Sequence, residues 1–154
     1  MFSERLSDPM PSWPSLRRLT LAVLSLACGP GMAGELSVHV TGLSTAQGQV
    51  GCALFNGPQG FPMDNSLATQ VWIPAEATGV ICRFDKLAAG RYALAVSHDL
   101  NGNRHLDTNL FGIPTEAWGV SGNVRPVLRA PRFEEAAFSL SAEQVLTLEV
   151  QVAR

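Results

Sequence analysis

The feature that most constrains the fold is an alternation of apolar and polar residues that recurs along most of the chain after residue 34. In residues 35–42, Leu36, Val38 and Val40 alternate with polar neighbours, which is the pattern of a strand with one buried face. Comparable runs occupy residues 48–55, 70–74, 78–84, 91–96, 137–140 and 145–152. A helical period is almost absent. Short strands at regular spacing predict an all-β fold, an antiparallel β-sandwich of about seven or eight strands.

The connections between these runs predict the local order of the strands. Residues 43–47 are rich in turn formers, so we expect the first two strands to pair as a hairpin. Pro131, followed by Glu134 and Glu135, predicts one helical turn or a bend, because proline and acidic residues suit a helix N-terminus.

One long segment, residues 112–123, is dense in glycine and proline and has neither a strand nor a helical period. Long irregular segments inside compact domains are usually either functional or disordered. Apolar residues in and beside this segment favour one long ordered loop that is held by tertiary contacts: Phe111, Ile113, Trp118 and Val120.

The N-terminus has the composition of an export signal. An arginine pair precedes an apolar run at residues 19–27, and small or turn-forming residues follow up to Ala33. The apolar run is shorter than the roughly 20 residues that cross a bilayer. We therefore predict a signal peptide at residues 1–33, with Met10 as an alternative start, and a single β-sandwich domain at residues 34–154.

Two other export routes stay open. Residues 25–28 resemble a lipoprotein box that would anchor the chain through Cys28, although Ser25 stands where an aliphatic residue is usual. Arg17 and Arg18 resemble a twin-arginine signal, although the residues after them fit that pattern poorly. The mature protein is expected to be periplasmic or secreted, or lipid-anchored at Cys28 if the lipoprotein box is used, and in each case without a transmembrane span.

Cleavage after Ala33 would leave two cysteines, Cys52 and Cys82, in an oxidising compartment, where a disulfide is the expected state. Both cysteines lie on predicted inward faces of strands. A bridge that closes a loop of about 30 residues would stabilise the fold by roughly 3–4 kcal/mol. The alternative is a pair of buried thiols on neighbouring strands. Neither cysteine has the Cys-x-x-Cys spacing of a redox or zinc site.

The charge of the chain excludes one class of partner. The sequence contains 13 acidic and 11 basic residues, and the basic residues are scattered along it. A nucleic-acid-binding surface needs a basic patch or stripe. We therefore expect no nucleic-acid partner.

The segment from Asp99 to Asp107 is the most chemically specific part of the chain. Potential ligands recur at alternate positions, as they do in a calcium loop: Asp99, Asn101, Asn103, His105 and Asp107. Arg104 replaces the glycine of an EF-hand and Leu110 replaces its closing glutamate, so Glu116 or the Asn109 amide would have to complete the shell. This pattern predicts a weak Ca²⁺ site, with a dissociation constant of roughly 0.1–1 mM. The alternative is an ion-free turn, because Asp and Asn also bond their own backbone.

Two further functions are alternatives. A hydrolase or a metal-dependent enzyme would draw its acid, base or metal-ligating groups from four residues: His98, Asp99, His105 and Glu116. Against it, the sequence has no serine elbow, zinc-binding helix motif or catalytic cysteine motif. A carbohydrate-binding module would stack sugar rings on Trp72 and Trp118, although a Trp among apolar neighbours is more often part of a core.

Several motifs together resemble a known family. The aromatic and glycine turn from Phe84 through Gly90 to Tyr92 resembles the joint of prealbumin-like and carboxypeptidase-regulatory-like sandwich modules. The ordered series after it is similar to exported bacterial proteins catalogued as domain of unknown function 2141: residues 98–103, Asp107, Asn109, residues 111–114, Glu116, residues 118–119, Ser121, Asn123 and residues 133–136.

The resemblance implies an exported, prealbumin-like sandwich and implies no reaction. Ordered loops on a rigid scaffold are common binding surfaces. We therefore expect a non-enzymatic binding or structural module. Its loop surface, which includes Asn109, Trp118 and Asn123, would contact a protein or another component of the cell envelope.

Overall fold

The computed structural model of the protein describes residues 33–154. The predicted signal peptide, apart from Ala33, lies outside these residues, and so do the alternative start at Met10 and the anchor alternative at Cys28. Within the described part of the chain, no helix is long and apolar enough to cross a membrane.

Strands make up most of the regular structure, as the period of two predicts. In chain order they are β1 (Gly34–Thr41), β2 (Gln49–Phe55), β3 (Thr69–Pro74), β4 (Val80–Leu87), β5 (Gly90–Asp99), β6 (Trp118–Val120), β7 (Phe138–Leu140) and β8 (Val145–Gln151). Between residues 33 and 154, the only α-helix is the single turn α1 (Phe133–Ala136), at the expected place. Two short 3-10 turns lie at Asn65–Leu67 and Ser121–Asn123. Strand β6 lies in the segment that was expected to be loop, because three residues are too few to display a period.

The strands form two sheets, with the orders β4-β1-β8 and β3-β2-β5-β6, and β7 also pairs with β5. The predicted hairpin of β1 and β2 is wrong, because these strands lie in different sheets. β1 pairs with β4, and β2 pairs with β3 and β5. Turn-forming residues reverse the direction of the chain, but they do not determine which strands pair. Residues 43–47 therefore connect two strands of different sheets as readily as two strands of a hairpin.

One pairing departs from the antiparallel pattern. β8 lies parallel to β1, with Val38 opposite Leu148 and Val40 opposite Val150. Parallel neighbours require a long crossover connection, and the whole second sheet lies between β1 and β8 in the chain. Because an apolar period carries no information on strand direction, the sequence pattern could not reveal this pairing.

The inner faces of the two sheets pack together as a sandwich. Buried apolar side chains from both sheets form the main core, which includes Leu36, Val38, Val40, Val50, Leu54, Phe84, Leu94 and Val96. Cys52 of β2 and Cys82 of β4 are buried in this core and form a disulfide, with their Cα atoms 6.6 Å apart. The predicted bridge is therefore confirmed, and it joins the second sheet to the first.

The second sheet is also covered on its outer face. A smaller core forms there from Ala53, Phe55, Ala93, Val120, Phe133 and Ala136. Phe61 packs edge-to-face between two of these rings, with centroids 5.3 Å from Phe55 and 5.9 Å from Phe133. The Ser121 hydroxyl joins β5 to α1, because it accepts from a backbone N–H of β5 and donates to a carbonyl of α1. The candidate site is formed by the loops next to this second core.

Candidate functional site

The acidic loop begins at the end of β5, where Asp99 is completely buried. Its carboxylate accepts two backbone hydrogen bonds, from Gly102 N and from Arg104 N, both at 2.7 Å. Arg104 has a φ of 60°, a left-handed conformation that is uncommon outside glycine. The hydrogen bond from the Arg104 N–H to the Asp99 carboxylate is charge-assisted and holds Arg104 in this conformation. Asp99 is therefore an internal cap for this turn.

Glu116 closes the same loop from its far end. Its buried carboxylate accepts hydrogen bonds from Leu100 N at 2.8 Å and from Asp107 N at 3.1 Å. Asp99 and Glu116 together satisfy four backbone N–H groups that have no strand partner. Buried carboxylates and buried backbone N–H groups both require hydrogen-bond partners, and here they are the partners of each other. We call these two side chains the carboxylate base of the loop.

Asp107 lies in the same loop as the carboxylate base, and its carboxylate accepts hydrogen bonds from two side-chain amides. Asn101 Nδ2 and Asn103 Nδ2 donate to its two carboxylate oxygens at 2.7 and 2.8 Å. The amide oxygens turn towards the backbone, where Asn101 accepts from Asn103 N at 3.0 Å and Asn103 accepts from His105 N at 2.8 Å. The His105 side chain is exposed. The predicted ligands other than His105 are thus gathered into one hydrogen-bonded unit.

In this arrangement hydrogen bonds within the loop occupy the oxygen atoms of the predicted ligands, and calcium binding stays a prediction. Calcium takes about six to eight oxygen ligands that converge on one point. Here amide nitrogens face Asp107, and the two carboxylates of the base face backbone N–H groups. Among residues 33–154, no three His, Cys, Asp or Glu side chains are grouped so that they could hold a metal ion. The contacts match the alternative of a turn that bonds its own backbone, and calcium binding would require the loop to rearrange.

The end of this loop, which we call the loop tip, projects beyond the acidic part. A bridge between Thr108 and Pro114 narrows the loop. Asn109 Oδ1 accepts from Phe111 N at 2.9 Å and from Ile113 N at 3.0 Å, which folds the tip into a tight turn. The turn directs three apolar side chains to solvent: Leu110, Phe111 and Ile113. The expectation that Phe111 and Ile113 order the loop by packing is therefore wrong.

A second segment, residues 124–131, lies beside the loop tip and is exposed at Arg125 and at residues 127–130. Val127 and Leu128 in this segment are almost fully exposed. Arg129 binds both carboxylate oxygens of Glu135, at 2.8 and 2.6 Å, and Glu135 also accepts a backbone N–H at the start of α1. The hydrogen bonds from Arg129, followed by the backbone bond, lower the pKa of Glu135 to about 2. This contact fastens the segment to α1.

Arg125 is held at the start of the same segment. Its guanidinium carbon lies 4.6 Å from the centroid of the Trp118 ring. Its Nη2 donates to the carbonyls of Trp118 and Ala153, the latter at 2.9 Å. Trp118 and Ala153 also form a β-bridge with each other. Arg125 is therefore fixed in position, while its Nη1 and Nε atoms take no part in these two bonds.

The loop tip and the second segment are the walls of a groove of about 630 Å³, which we call the apolar groove. Ala95 and Ser97 of β5 contribute small side chains to its lining, next to the second core. The charged residues that line it are all basic: Arg125, Arg129 and Arg154. Four exposed apolar residues of the loop tip and the second segment line it, and we call them the rim residues: Phe111, Ile113, Val127 and Leu128.

The four residues of the hydrolase hypothesis do not meet at this groove. His98 is buried, and its Nε2 donates to a carbonyl of the β1–β2 connection at 2.8 Å, since a carbonyl can only accept. His105 is exposed, whereas Asp99 and Glu116 point into the loop. None of the four lines the apolar groove or a smaller cavity beside the end of β8. The hydrolase alternative therefore lacks a shared cleft in the part of the chain that the structure describes.

The two tryptophans of the carbohydrate hypothesis are partly buried and in contact with other groups. The Trp72 ring lies against Gly51, where an added Cβ would come within 2.5 Å of it, and the Arg104 guanidinium lies 5.7 Å from its centroid. Trp118 packs against the second core and lies beneath Arg125. Stacking of a sugar would have to displace these neighbours.

The three residues predicted as loop surface have different positions. Asn109 folds the loop tip, Trp118 lines the apolar groove, and Asn123 accepts a backbone N–H from β8 at 2.8 Å. Sequence reasoning did not single out Arg125, Val127 and Leu128 of residues 124–131. The available signal was a pair of adjacent apolar residues in a proline-flanked segment without any strand or helical period, where burial in a core is not expected.

The fold and the site together define a class: a small protein of two β-sheets, with a bridged core and an apolar groove between two loops. Residues 38–147 match the family described as "Uncharacterized protein conserved in bacteria (DUF2141)". This match spans more than half of the chain, so the chain belongs to that family, as its motifs predict. No curated protein and no solved structure matches the chain. The prealbumin-like connection stays a prediction.

Proposed function

We propose that this protein is an exported, non-enzymatic binding module and that the apolar groove holds its ligand. The observation that supports the proposal is the concentration of the rim residues around one concave surface. Apolar side chains that are exposed together commonly mark binding surfaces. The volume of the groove, about 630 Å³, lies within the range of roughly 300–1,000 Å³ that is typical of ligand pockets.

The acidic loop acts in this proposal as a support for the loop tip. Asp99 and Glu116 bind the backbone at both ends of the loop, and Asn109 binds the backbone at its tip. A binding surface on a loop needs such a rigid base to hold its contact residues in place. The polar residues therefore serve the function through position, and the apolar residues make the contact.

Two features support an extracytoplasmic location, either periplasmic or secreted. The N-terminal residues have the composition of an export signal. The buried Cys52–Cys82 bridge is of a kind that persists in oxidising compartments and is rare in the cytosol. The partner in this proposal is accordingly a molecule of the cell envelope or the medium.

A neutral fluorescent probe of apolar sites, N-phenyl-1-naphthylamine, tests the proposal with purified protein. We expect one probe to bind per chain. Replacing Phe111 and Leu128, which are 87% and 96% exposed, by serine should weaken binding at least about tenfold, which corresponds to about 1.4 kcal/mol of lost apolar contact. Val145→Ser is the matched control, because Val145 is 70% exposed but does not line the groove. No binding, or equal binding by all variants, would contradict the proposal.

A further inference from the structure

We infer that the ligand of the apolar groove is an anionic amphiphile bound as a monomer, with its alkyl chain between the rim residues and its anionic head at Arg125. The inference rests on the proposed function and adds to it the chemical class of the ligand. It depends on the charge of the groove, the fixed position of Arg125 and the shape of the lining.

The charge of the groove departs from that of the chain. The sequence contains 13 acidic and 11 basic residues, yet three arginines line the groove and none of its described lining residues is Asp or Glu. Arg129 is neutralised by its bidentate pair with Glu135. Arg125 has no carboxylate within ion-pair distance among residues 33–154. An apolar groove with a single-sign charge at its edge complements a ligand that joins an apolar chain to a negative head.

Arg125 is also held ready for an anion before any ligand binds. The Trp118 ring supports its guanidinium at 4.6 Å, and Nη2 is held by two main-chain carbonyls. The remaining N–H groups, on Nη1 and Nε, point to different sides of the guanidinium, and each can donate a single charge-assisted hydrogen bond to a carboxylate or phosphate oxygen. Because the side chain is already ordered, an anion meets it with little loss of rotamer entropy.

The shape of the lining favours a narrow alkyl chain. Ala95 and Ser97 give β5 a lining of small side chains, and Phe111 and Leu128 line the groove from two different loops. Apart from the arginines, the lining offers few polar side chains that could pair with the amide groups of a peptide. An alkyl chain requires none, and each buried methylene contributes about 0.8 kcal/mol.

The test is displacement of the same neutral probe by three twelve-carbon compounds below their micelle concentrations: dodecanoate, dodecanol and dodecylamine. We expect dodecanoate to bind about two- to fivefold more tightly than dodecanol, the range of an exposed ion pair, and dodecylamine to bind less tightly than dodecanol. Arg125→Gln should remove the preference for dodecanoate and leave the affinity for dodecanol. Arg83→Gln, an exposed arginine on β4, should leave both unchanged.

A second measurement covers the case in which Arg125→Gln fails to fold. In the unaltered protein, the preference for dodecanoate should shrink as salt is raised, because salt screens exposed charges. Equal affinity for dodecanoate and dodecanol at low salt would overturn the inference and leave the proposed function standing. Binding to anionic vesicles without displacement of the probe by any monomer would also overturn it, in favour of a membrane surface. Failure of the probe itself to bind would refute the proposed function.

Discussion

The carboxylate base and the rim residues belong to neighbouring parts of the molecule but have opposite surroundings. Asp99 and Glu116 are charged and buried, and each binds two backbone N–H groups. Phe111 and Leu128 are apolar and exposed, and they stand beside a groove. Residue type alone would assign these surroundings the other way round.

The difference teaches which residues hold the loop and which are available for contact. A loop cannot pair its amides with a strand, so acidic side chains that enter it from its ends replace the missing acceptors. Apolar residues at a tight turn cannot reach the core, because the turn itself directs them outwards. Substitutions in the base should therefore cost stability, and substitutions at the rim should cost binding.

The largest expected loss of stability follows Asp99→Asn. The amide can accept from only one of the two N–H groups and presents its own donor to the other, so we expect a loss of about 2–4 kcal/mol in the free energy of unfolding. Urea unfolding measures it. Asp107→Asn is the matched control, because Asp107 is only half-buried and should cost about 1 kcal/mol or less. Equal losses of stability for the two variants would show that the carboxylate base supports the fold no more than the half-buried Asp107 does.

Glu116→Gln should have the next largest effect. One of its two backbone bonds is longer, at 3.1 Å, so we expect a loss of about 1–2 kcal/mol from the same donor conflict. Backbone amide exchange at Leu100 and Asp107 should accelerate together in this variant, since both amides bind this carboxylate. Unchanged exchange at both positions would show that the carboxylate does not hold the loop.

Acid should release the contact that fastens the second wall of the groove. The pKa of Glu135 is lowered to about 2 from an ordinary value of 4.5, chiefly by Arg129. A carboxyl group with a lowered pKa stabilises the fold above its ordinary value, and that contribution is lost as the pH falls from 4.5 towards 2. Glu135→Gln should remove this small part of the acid dependence of urea unfolding, and Arg129→Gln should remove the larger share of it, because the backbone bond from Arg132 remains. An Arg129→Gln variant with unchanged acid dependence would rule out this pair as the cause.

Rim substitutions should leave stability nearly unchanged. Because Phe111 and Leu128 are exposed in the free protein, their replacement by serine should alter the free energy of unfolding by no more than about 0.5 kcal/mol. The same variants should lose probe binding. This result would show that the rim residues contact the ligand and do not stabilise the fold. A larger loss of stability would show that the rim packs in solution and would weaken the comparison.

Calcium should have the smallest effect, because the loop presents amide nitrogens to Asp107. A site with a dissociation constant of about 1 mM would add about 1.4 kcal/mol at about 10 mM calcium, which is several degrees in Tm. We expect no such shift in a thermal melt. A shift that disappears in Asp107→Asn would show that the loop rearranges around the ion and would support the calcium hypothesis.

The pattern of neighbouring residues was sufficient to predict much of the fold but little of the candidate site. The inward faces of the strands were predictable, because a period of two identifies buried residues without knowledge of their neighbours. The pairing of Cys52 with Cys82 followed from their even number and their inward positions. The hairpin of β1 and β2 failed because partner choice depends on the rest of the chain. The loop residues were recognised as special, but their spacing cannot distinguish a ligand set from a hydrogen-bonded turn.

The sequence by itself determined the all-β fold, the buried faces, the bridge and the family of this protein, because alternation and motif order are properties of neighbouring residues. Only the tertiary structure decided that Asp99 and Glu116 turn inwards to bind the backbone, that β8 lies parallel to β1, and that Phe111 and Leu128 line one groove. These relations join residues far apart in the chain. Their energies arise from contacts that no local pattern contains.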